Sequence, residues 1–522
     1  MPINSFPLPQ IRPLQKLAIE KIKSAIDAGK THIICELPTG SGKSALSVAL
    51  SRWANKSYLI TPTRHLQGAY ADDFSKDLMT LKGRSSYPCV YGDPASSRRV
   101  IGIIKAGGNV PIPRSGKTCG DGDCVGKTTA KRQKIVGECS SANGNDCPYT
   151  VMLEEALKHK TICCNQHSFF FNARNDRLEK RNLMVFDECH DLPDFMRSVM
   201  TTAFTLYRKV TETDLIGLNT PLQWVTWLKD DAQFFTVPND SREDYLGRLE
   251  KFEKAIDAYG DTAIVRVTLE AKKASFEFTP PSISGAFRES FLNYADTFIY
   301  MSGTIYDHQM YAKSLGLPEE SIAFIRIPSE FPQANRPVVM PRHQNLDLSY
   351  ACWDANYAQA VSEIRKIAAY HKDSKGIIHS SSYRMAQQLA LSLDDTGRIV
   401  THTRDDFAEK LEAFYGSKKP MIFISPSVKQ GVDFNEDRAR WQIIVRPPYP
   451  TIKDPFVNYR LTRGAWAWYN VQTMIAVGQQ CGRVVRSSQD TGITYLLDSR
   501  FTTFFQKVGH LLPSWFKEGL VR

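Results

Sequence analysis

The segment 36–44, with the sequence ELPTGSGKS, has the composition of a loop that binds the phosphates of a nucleotide. In such loops glycines let the backbone approach an anion, a lysine reaches the β- and γ-phosphates, and a hydroxyl ligates Mg²⁺. An apolar run precedes the loop and a helical pattern begins near Ser44, so the amino end of a helix would face the same anion. We therefore predict that ATP and Mg²⁺ are bound by Pro38, Thr39, Gly40, Ser41, Gly42, Lys43 and Ser44.

The segment VFDECH (185–190) is an apolar run that ends in two adjacent carboxylates. Asp187 is suited to hold Mg²⁺ through water, and Glu188 to orient or deprotonate an attacking water. Adjacent acids at the end of a strand also occur in solvated turns. In a chain that carries a phosphate-binding loop, they indicate that the pair completes the site of an ATPase.

The segment QQCGRVVRS (479–487) lies in a helical pattern that places Arg483 and Arg486 three residues apart, on one helix face. Pairs of this kind are common on solvated surfaces and in salt bridges. They also suit arginine fingers, which reach a γ-phosphate from a second domain. The residues alone leave both interpretations open.

Cysteines are concentrated in one part of the chain. Of 11 in total, five lie within one short segment: Cys89, Cys119, Cys124, Cys139 and Cys147. An odd number without a secretion signal argues against disulfides, and such a cluster usually binds metal. Thiolates suit a [4Fe–4S] cluster or Zn²⁺, and the irregular spacing does not separate the two. The surrounding segment 86–148 is rich in glycine and has little periodicity, so we expect metal ligation to supply its folding energy.

Two sets of short apolar runs must position these segments, and helical patterns separate several of the runs. Runs of this kind are typical of buried parallel strands. The first set is 32–37, 57–62, 161–166, 183–188 and 298–303, and the second is 376–380, 398–403, 420–426, 441–447 and 492–498. The pattern predicts two α/β units with parallel sheets. Segment 200–285 instead looks helical, with one helix starting at Thr220-Pro221 and another at Ser241.

The length of 522 residues favours three or four units at about 150 residues each. The hydrophobic fraction of 42% and the charged fraction of 23% are ordinary for globular proteins, which excludes a disordered or fibrous chain. We find neither a run long enough for a membrane helix nor a secretory signal, so we expect a cytoplasmic protein with no membrane partner. The net charge of +11 suits a polyanionic partner.

Taken together, the motifs resemble those of superfamily 2 helicases. VFDECH is similar to the DEAH box, with Cys189 in place of alanine, and QQCGRVVRS is similar to QxxGRxxR. A further set of segments resembles the XPD/DinG group of iron–sulfur DNA helicases: ELPTGSGKS, the motif III segment YMSGTI (300–305), the motif V segment SVKQGVDF (427–434) and the adenine-contacting segment IRPLQ (11–15). The resemblance implies roles in ATP binding and turnover for Gln15, His190, Gly431, Asp433, Gln479, Arg483 and Arg486.

Two long gaps between motifs support the narrower resemblance. Between Gln67 and Val185 lie 117 residues, and between His190 and Ser302 lie 111, too many for the connections of an α/β unit. The resemblance implies an α/β fold of two RecA-like parallel-sheet domains, with an iron–sulfur insertion and a helical arch inserted in the first. The expected order is domain 1 (1–85), cluster domain (86–148), domain 1 again (149–199), arch (200–285), the last strand of domain 1 with motif III (286–305), and domain 2 (306–522).

The same resemblance makes Cys89 the first and Cys147 the last ligand of a [4Fe–4S] cluster, and it favours iron–sulfur over Zn²⁺. Two further ligands come from the three cysteines between them. Cys139 is preferred because it lies eight residues before Cys147, which leaves Cys119 and Cys124 to compete for the remaining position.

The function that the resemblance implies is ATP-driven movement 5′→3′ along single-stranded DNA, with unwinding of tailed or forked duplexes by a monomer. Repair, replication or recombination would be its setting, in a prokaryotic, archaeal or phage-infected cell. One alternative is an ATPase that clamps nucleic acid without unwinding it. Another is a DECH-type RNA helicase, which the cysteine-rich insertion disfavours.

Overall fold

A computed structural model describes most of the chain. It covers residues 2–89, 94–105, 118–119, 147–231, 242–257, 259, 262–394, 397–426, 432, 434 and 436–521. Two of the predicted cluster ligands, Cys124 and Cys139, lie outside the described residues, as do Gly431, Asp433 and the expected helix start at Ser241.

Strands account for the apolar runs of the sequence. In chain order they are β1 (His32–Glu36), β2 (Ser57–Thr61), β3 (Met79–Leu81), β4 (Thr161–Asn165), β5 (Arg181–Asp187), β6 (Thr202–Leu206), β7 (Ile264–Leu269), β8 (Ala274–Thr279), β9 (Ala295–Ser302), β10 (Ile322–Arg326), β11 (Val338–Val339), β12 (Gly376–His379), β13 (Ile399–Thr401), β14 (Ile422–Ser425), β15 (Trp441–Ile444), β16 (Ile493–Leu496) and β17 (Leu520–Val521).

Helices fill most of the connections between the strands. They are α1 (Pro13–Asp27), α2 (Lys43–Trp53), α3 (Arg64–Phe74), α4 (Pro94–Lys105), α5 (Pro148–Lys158), α6 (Gln166–Ala173), α7 (Leu192–Met200), α8 (Pro221–Asp231), α9 (Arg242–Asp257), α10 (Ser284–Ser290), α11 (His308–Leu315), α12 (Trp353–Tyr370), α13 (Tyr383–Leu393), α14 (Phe407–Gly416), α15 (Pro455–Leu461), α16 (Trp466–Cys481), α17 (Arg500–Val508) and α18 (Ser514–Gly519).

Fourteen of the described strands form two sheets of seven parallel strands each. The first has the order β10-β1-β9-β5-β2-β4-β3, and the second β13-β14-β12-β15-β16-β11-β17. Every residue of β1, β2, β4, β12, β14 and β15 is buried, because helices cover both faces of each sheet. The prediction of two parallel-sheet α/β domains is confirmed.

The boundary between the two domains lies further along the chain than expected. The prediction ended the first domain at residue 305, but β10 pairs in parallel with β1, with Ile322 opposite His32 and Arg326 opposite Glu36. The first sheet therefore extends to Arg326. The sequence missed this strand because β10 is an edge strand and only Ile325 of it is fully buried, so the run lacks a continuous apolar character.

The segment 200–285 is not purely helical, as the sequence had suggested. Its strands β6, β8 and β7 form an antiparallel sheet in that order, and α8 and α9 pack on one face of it. Along β8, Ala274, Phe276 and Phe278 are buried and alternate with more exposed residues, which is the pattern of a one-sided sheet. This insertion also contacts the second domain, where Arg266 of β7 forms an ion pair with Asp454.

The described part of segment 86–148 contains the helix α4, although the sequence of this segment had suggested little periodic structure. No helix in the described ranges is both long and apolar enough to cross a membrane.

Candidate active site

Three neighbouring strands of the first sheet place the predicted catalytic segments at one edge. In the order β1-β9-β5, each strand ends in a loop that carries one of the motifs. The loop after β1 is the glycine-rich segment, the loop after β5 begins with Glu188, and the loop after β9 begins with Gly303. Because carboxyl ends of parallel strands lie at the same edge, the three loops converge on the amino end of α2.

The glycine-rich loop has a backbone that requires glycine at two positions. Gly40 and Gly42 have φ angles of +76° and +78°, in the left-handed region. A Cβ at Gly40 would lie 2.5 Å from the carbonyl oxygen of Arg486, and one at Gly42 would lie 2.2 Å from the Gln15 amide nitrogen. The helix α2 then begins at Lys43, so its unpaired N–H groups face the space next to the loop. This arrangement suits the binding of phosphate groups.

The acid pair lies directly against the loop lysine. The Lys43 ammonium is 3.4 Å from Glu188 Oε1. Tyr70 donates a hydrogen bond to Asp187 Oδ2 at 2.8 Å, and its hydroxyl lies 3.2 Å from Ser47 Oγ. Ser44 follows Lys43 in the first turn of α2, and Asp187 precedes Glu188, which Lys43 contacts, so the two residues offer oxygen ligands of the kind that Mg²⁺ prefers.

The two carboxyls differ in their electrostatic surroundings. Burial, together with the negative charge of Glu188, raises the pKa of Asp187 to about 6. A bound cation would relieve this unfavourable burial of charge. Burial also acts to raise the pKa of Glu188, but the Lys43 ammonium and the hydrogen bond from His190 outweigh it, so the pKa is below its ordinary value. Glu188 is therefore ionised at neutral pH, as a residue that accepts a proton from water must be.

Contacts lead from the acid pair to the second domain. His190 Nδ1 lies 2.8 Å from Ser302 Oγ, and the Ser302 hydroxyl donates to Glu188 Oε2 at 3.4 Å. The backbone N–H of Thr304 donates to Ser302 Oγ at 3.2 Å. Gln479 of the second domain completes the path, since its Nε2 donates to Thr304 Oγ1 at 2.7 Å. The structure thus brings His190 and Gln479 to opposite ends of one hydrogen-bonded path.

The arginine segment does not lie on a helix, which corrects the sequence-based prediction. The helix α16 ends at Cys481, with Gly482 as its C-cap, and Arg483 and Arg486 follow in the next loop. Glycine at position 482 also permits close contact with the phosphate-binding loop, because a Cβ there would be 3.2 Å from Thr39 Oγ1. Arg483 is buried and donates to the Val432 carbonyl at 3.0 Å.

The amino-terminal segment contributes to the loop in a way that the sequence did not indicate. Gln15 Nε2 donates to the Ser41 carbonyl at 3.1 Å, and Arg12 donates to the Gly40 carbonyl at 2.9 Å. Gln15 thus supports the backbone of the phosphate-binding loop. Arg12 was not predicted, because a single arginine before a proline has no distinguishing spacing.

Three of the predicted thiols, Cys89, Cys119 and Cys147, lie in the described residues, and two of them are in contact. The sulfur atoms of Cys119 and Cys147 are 3.8 Å apart, and Cys119 N donates to the Tyr87 carbonyl, two residues before Cys89. The contact with Cys119 lowers the pKa of Cys147 to about 5, which favours a thiolate. A separation of about 3.8 Å also matches the edge of a tetrahedron of sulfurs with 2.3 Å bonds to zinc. Among the described residues no group of three or more potential ligands could hold a metal ion, so the Cys119–Cys147 pair by itself does not form a metal centre.

A groove beside the site has the residue types that bind nucleic acid. It encloses about 420 Å³ between the first domain, α7, and the helices α15 and α16 of the second domain, and it reaches His190. Its lining includes four cations, four aromatic rings and two acids, namely Arg197, Lys313, Arg460, Arg463, Tyr311, Phe456, Tyr459, Trp468, Asp194 and Asp307. The Arg197 guanidinium lies 3.7 Å from the centre of the Phe456 ring.

Comparisons with known proteins agree with this arrangement. Residues 364–519 match the family model of the helicase C-terminal domain, and residues 8–214 match that of the type III restriction enzyme res subunit. Among solved structures, an XPD helicase is similar over 97% of this chain and 98% of its own, with a TM-score of 0.62 and 14% identity. Xpd4 of S. tokodaii is similar over 98% and 100%, with a TM-score of 0.56 and 16% identity.

Curated relatives match over a shorter part. The regulator of telomere elongation helicase 1 homolog of Drosophila melanogaster is 32% identical over 121 residues, which is 20% of this chain and 12% of that protein. The Fanconi anemia group J protein homolog of Gallus gallus is 30% identical over 135 residues, which is 22% of this chain and 11% of that protein. The matched region is thus a small fraction of each relative's length.

Proposed function

Because this chain belongs to the XPD-like helicases of superfamily 2, we propose that it is an ATP-driven DNA helicase. It would move 5′→3′ along single-stranded DNA and separate duplexes in repair, replication or recombination. The observation that most supports a motor is the hydrogen-bonded path from Glu188 through Ser302 and Thr304 to Gln479. An ATPase without moving domains has no need of such a path.

Each residue of the site has a separate proposed role in ATP hydrolysis. Mg²⁺, held by Ser44 and Asp187, would neutralise charge on the phosphates. Lys43 binds the β- and γ-phosphates, and Glu188 orients the attacking water and accepts its proton. Arg483 and Arg486 approach the γ-phosphate from the second domain, so ATP favours the closed cleft and its hydrolysis releases it.

We propose that the strand of DNA runs through the groove of cations and aromatic rings next to His190. Arginines there would bind phosphates, and the half-buried rings of Tyr459 and Trp468 would stack with bases, which gives affinity without dependence on base sequence. Its position between both domains means that closing the cleft would change the grip on the strand. This location supports movement along a strand over simple binding.

Unwinding is expected to require ATP and a 5′ single-stranded tail. A gel assay would compare a 5′-tailed, a 3′-tailed and a blunt duplex, each with and without ATP, at equal protein concentration. Equal unwinding of both tailed substrates would contradict the proposed direction. If neither duplex is separated while DNA still stimulates ATP turnover, the protein is the clamping ATPase that forms the alternative. Stimulation by RNA alone would favour the DECH-type RNA helicase.

We further propose that Cys89 and Cys147, with two of Cys119, Cys124 and Cys139, hold a [4Fe–4S] cluster, with Zn²⁺ as the alternative. The proximity of the Cys119 and Cys147 sulfurs supports Cys119 as an inner ligand of either centre, and the 3.8 Å separation itself is that of two thiolates on one Zn²⁺. When bound, the cluster would supply folding energy to a glycine-rich segment.

Cys147→Ser is expected to remove the metal and the unwinding activity, while ATP turnover falls less, because the acid pair lies in a separate core. Cys352→Ser is the matched control, since Cys352 lies in the second domain, remote in sequence from the cysteine cluster. The measurements are the visible spectrum and the iron, sulfide and zinc content of protein purified without oxygen. Stoichiometric zinc with only traces of iron would overturn the cluster. Full metal content in Cys147→Ser would remove that residue from the ligand set.

A further inference from the structure

Tyr306 belongs to the first domain but is buried in the core of the second. Tyr306 lies between β9 and α11, and α11 is followed by β10. The strands β9 and β10 both belong to the first sheet. Its side chain is only 2% exposed. It packs in a cluster whose other buried members all come from the second domain: Val338, Ile444, Met474, Val477, Leu496, Phe501, Phe504, Phe505, Val508, Leu512 and Phe516. A single ring thus inserts from one domain into the other.

The ring is received by a glycine inside a helix. A Cβ at Gly478 of α16 would lie 1.9 Å from the Tyr306 hydroxyl oxygen and 3.0 Å from the Thr304 methyl carbon. Glycine in the interior of a helix lowers its stability by about 1 kcal/mol relative to alanine, so its presence there calls for a reason. The reason is steric, because any other residue at Gly478 would push the ring out. The next residue is Gln479, which contacts Thr304.

The first domain holds Tyr306 from behind in a fixed conformation. Its φ angle of +58° is unusual for a residue other than glycine. The backbone N–H donates to Glu36 Oε2 at 2.8 Å, and the carbonyl accepts from Arg326 at 3.2 Å. Glu36 and Arg326 form an ion pair of 3.0 Å, and Arg326 also donates to the Leu511 carbonyl of the second domain at 3.4 Å. Because Glu36 begins the phosphate-binding loop segment, the ring and that loop are fixed to each other.

We infer that Tyr306 is a positioning residue that sets the spacing between the two domains, with Gly478 as its seat. This inference rests on the proposed ATPase function. Correct spacing brings Gln479 to Thr304 and the loop of Arg483 and Arg486 to the nucleotide. The ring, and not the hydroxyl, carries this role, since the hydroxyl has no hydrogen-bond partner among the described residues.

The test is a double-substitution experiment across the domain boundary. Gly478→Ala should lower both the Tm of the nucleotide-free protein and kcat, because the new methyl group collides with the hydroxyl. Tyr306→Phe should resemble the parent protein in both measurements. Combining the two should recover much of the loss, since the 1.9 Å clash is removed and only the tight contacts with the Thr304 methyl carbon at 3.0 Å and the ring carbon Cζ at 3.1 Å remain. Gly247→Ala is the matched control: Gly247 also lies within a helix but has open space around it, so its Tm should stay the same or rise.

Tyr306→Ala distinguishes positioning from stability alone. Its kcat should fall by about 10–100-fold in the folded protein, with the KM for ATP little changed, because the phosphate-binding loop is intact and only alignment is lost. Unchanged kcat in folded Tyr306→Ala would overturn the inference. So would a Gly478→Ala protein that is no worse than Gly247→Ala, or one that Tyr306→Phe fails to rescue. The Tm comparison does not depend on activity. A parent protein without ATPase activity would contradict the proposed function, but the Tm values of the same variants would still test whether Gly478 accommodates the Tyr306 ring.

Discussion

Glu188→Gln is expected to lower the rate of ATP hydrolysis by about 10²–10⁴-fold and to leave ATP binding largely intact. The substitution keeps the shape of the side chain but removes its ability to accept a proton. In the structure the carboxylate is held by Lys43 on one side and by Ser302 and His190 on the other. The amide would retain a hydrogen bond to Ser302, so the loop that binds phosphate should keep its geometry. Single-turnover hydrolysis and binding of a fluorescent ATP analogue would separate the two effects.

Glu320→Gln is the matched control for this substitution. Glu320 is an exposed residue of the first domain that precedes β10, so it lies at the edge of the sheet opposite to the catalytic loops. It should hydrolyse ATP at the parental rate. A normal rate in Glu188→Gln would show that another group accepts the proton. Loss of nucleotide binding together with turnover would assign Glu188 to holding the loop instead of to chemistry.

Ten strands of the two large sheets were predictable, most of them because they are buried on both faces, whereas β3, β10, β11 and β17 were not predicted. A run such as HIICE in β1 has no exposed position, so its residues are apolar almost throughout and the pattern is clear without any partner. The strands that the sequence missed are short, at an edge, or one-sided. Only Ile264 of β7 is buried, and the polar residues Arg266 and Thr268 interrupt its series of apolar residues. The pairing of β7 with β8 depends on tertiary contacts, which the sequence pattern of either strand alone does not predict.

The catalytic loops could be grouped from sequence since parallel strands end at a common edge. That rule predicts that Lys43 and Glu188 are neighbours, and they are 3.4 Å apart. It does not predict which residues stand behind them. Tyr70 lies on α3, between the two motifs in the chain, and the side chain of Tyr306 packs among residues of the second domain. Neither residue has a sequence spacing that indicates a role at the site. Both depend on how the elements pack.

The arginine segment shows where periodicity misleads. The apolar pattern of α16 continues into Val484 and Val485, which are buried, and this extends the helical appearance past its true end. Gly482 ends the helix, and the chain turns so that Arg483 contacts Val432 and the Arg486 carbonyl lies against Gly40. The proposed approach of the two arginines to the nucleotide would therefore follow a loop that contacts both domains.

Replacing both Arg483 and Arg486 with alanine is expected to reduce kcat far more than ATP affinity. Arginine fingers contribute about 10³–10⁵-fold to the rate in other NTPases, and either arginine alone should matter less because two share the task. Because Arg483 also donates to the Val432 carbonyl, its loss could act through the loop alone, so Arg483→Lys is measured as well as the double variant. Lysine keeps the charge but lacks the planar guanidinium, so turnover should still fall.

Arg365→Ala is the matched control, because Arg365 is exposed on α12, which covers the face of the second sheet opposite to Val484 and Val485. DNA-stimulated turnover and ATP binding would be measured for all variants. Full turnover in the double variant would place the catalytic cation elsewhere, whereas an equal loss of binding and turnover would mean that the arginines bind ATP in its ground state instead of stabilising the transition state.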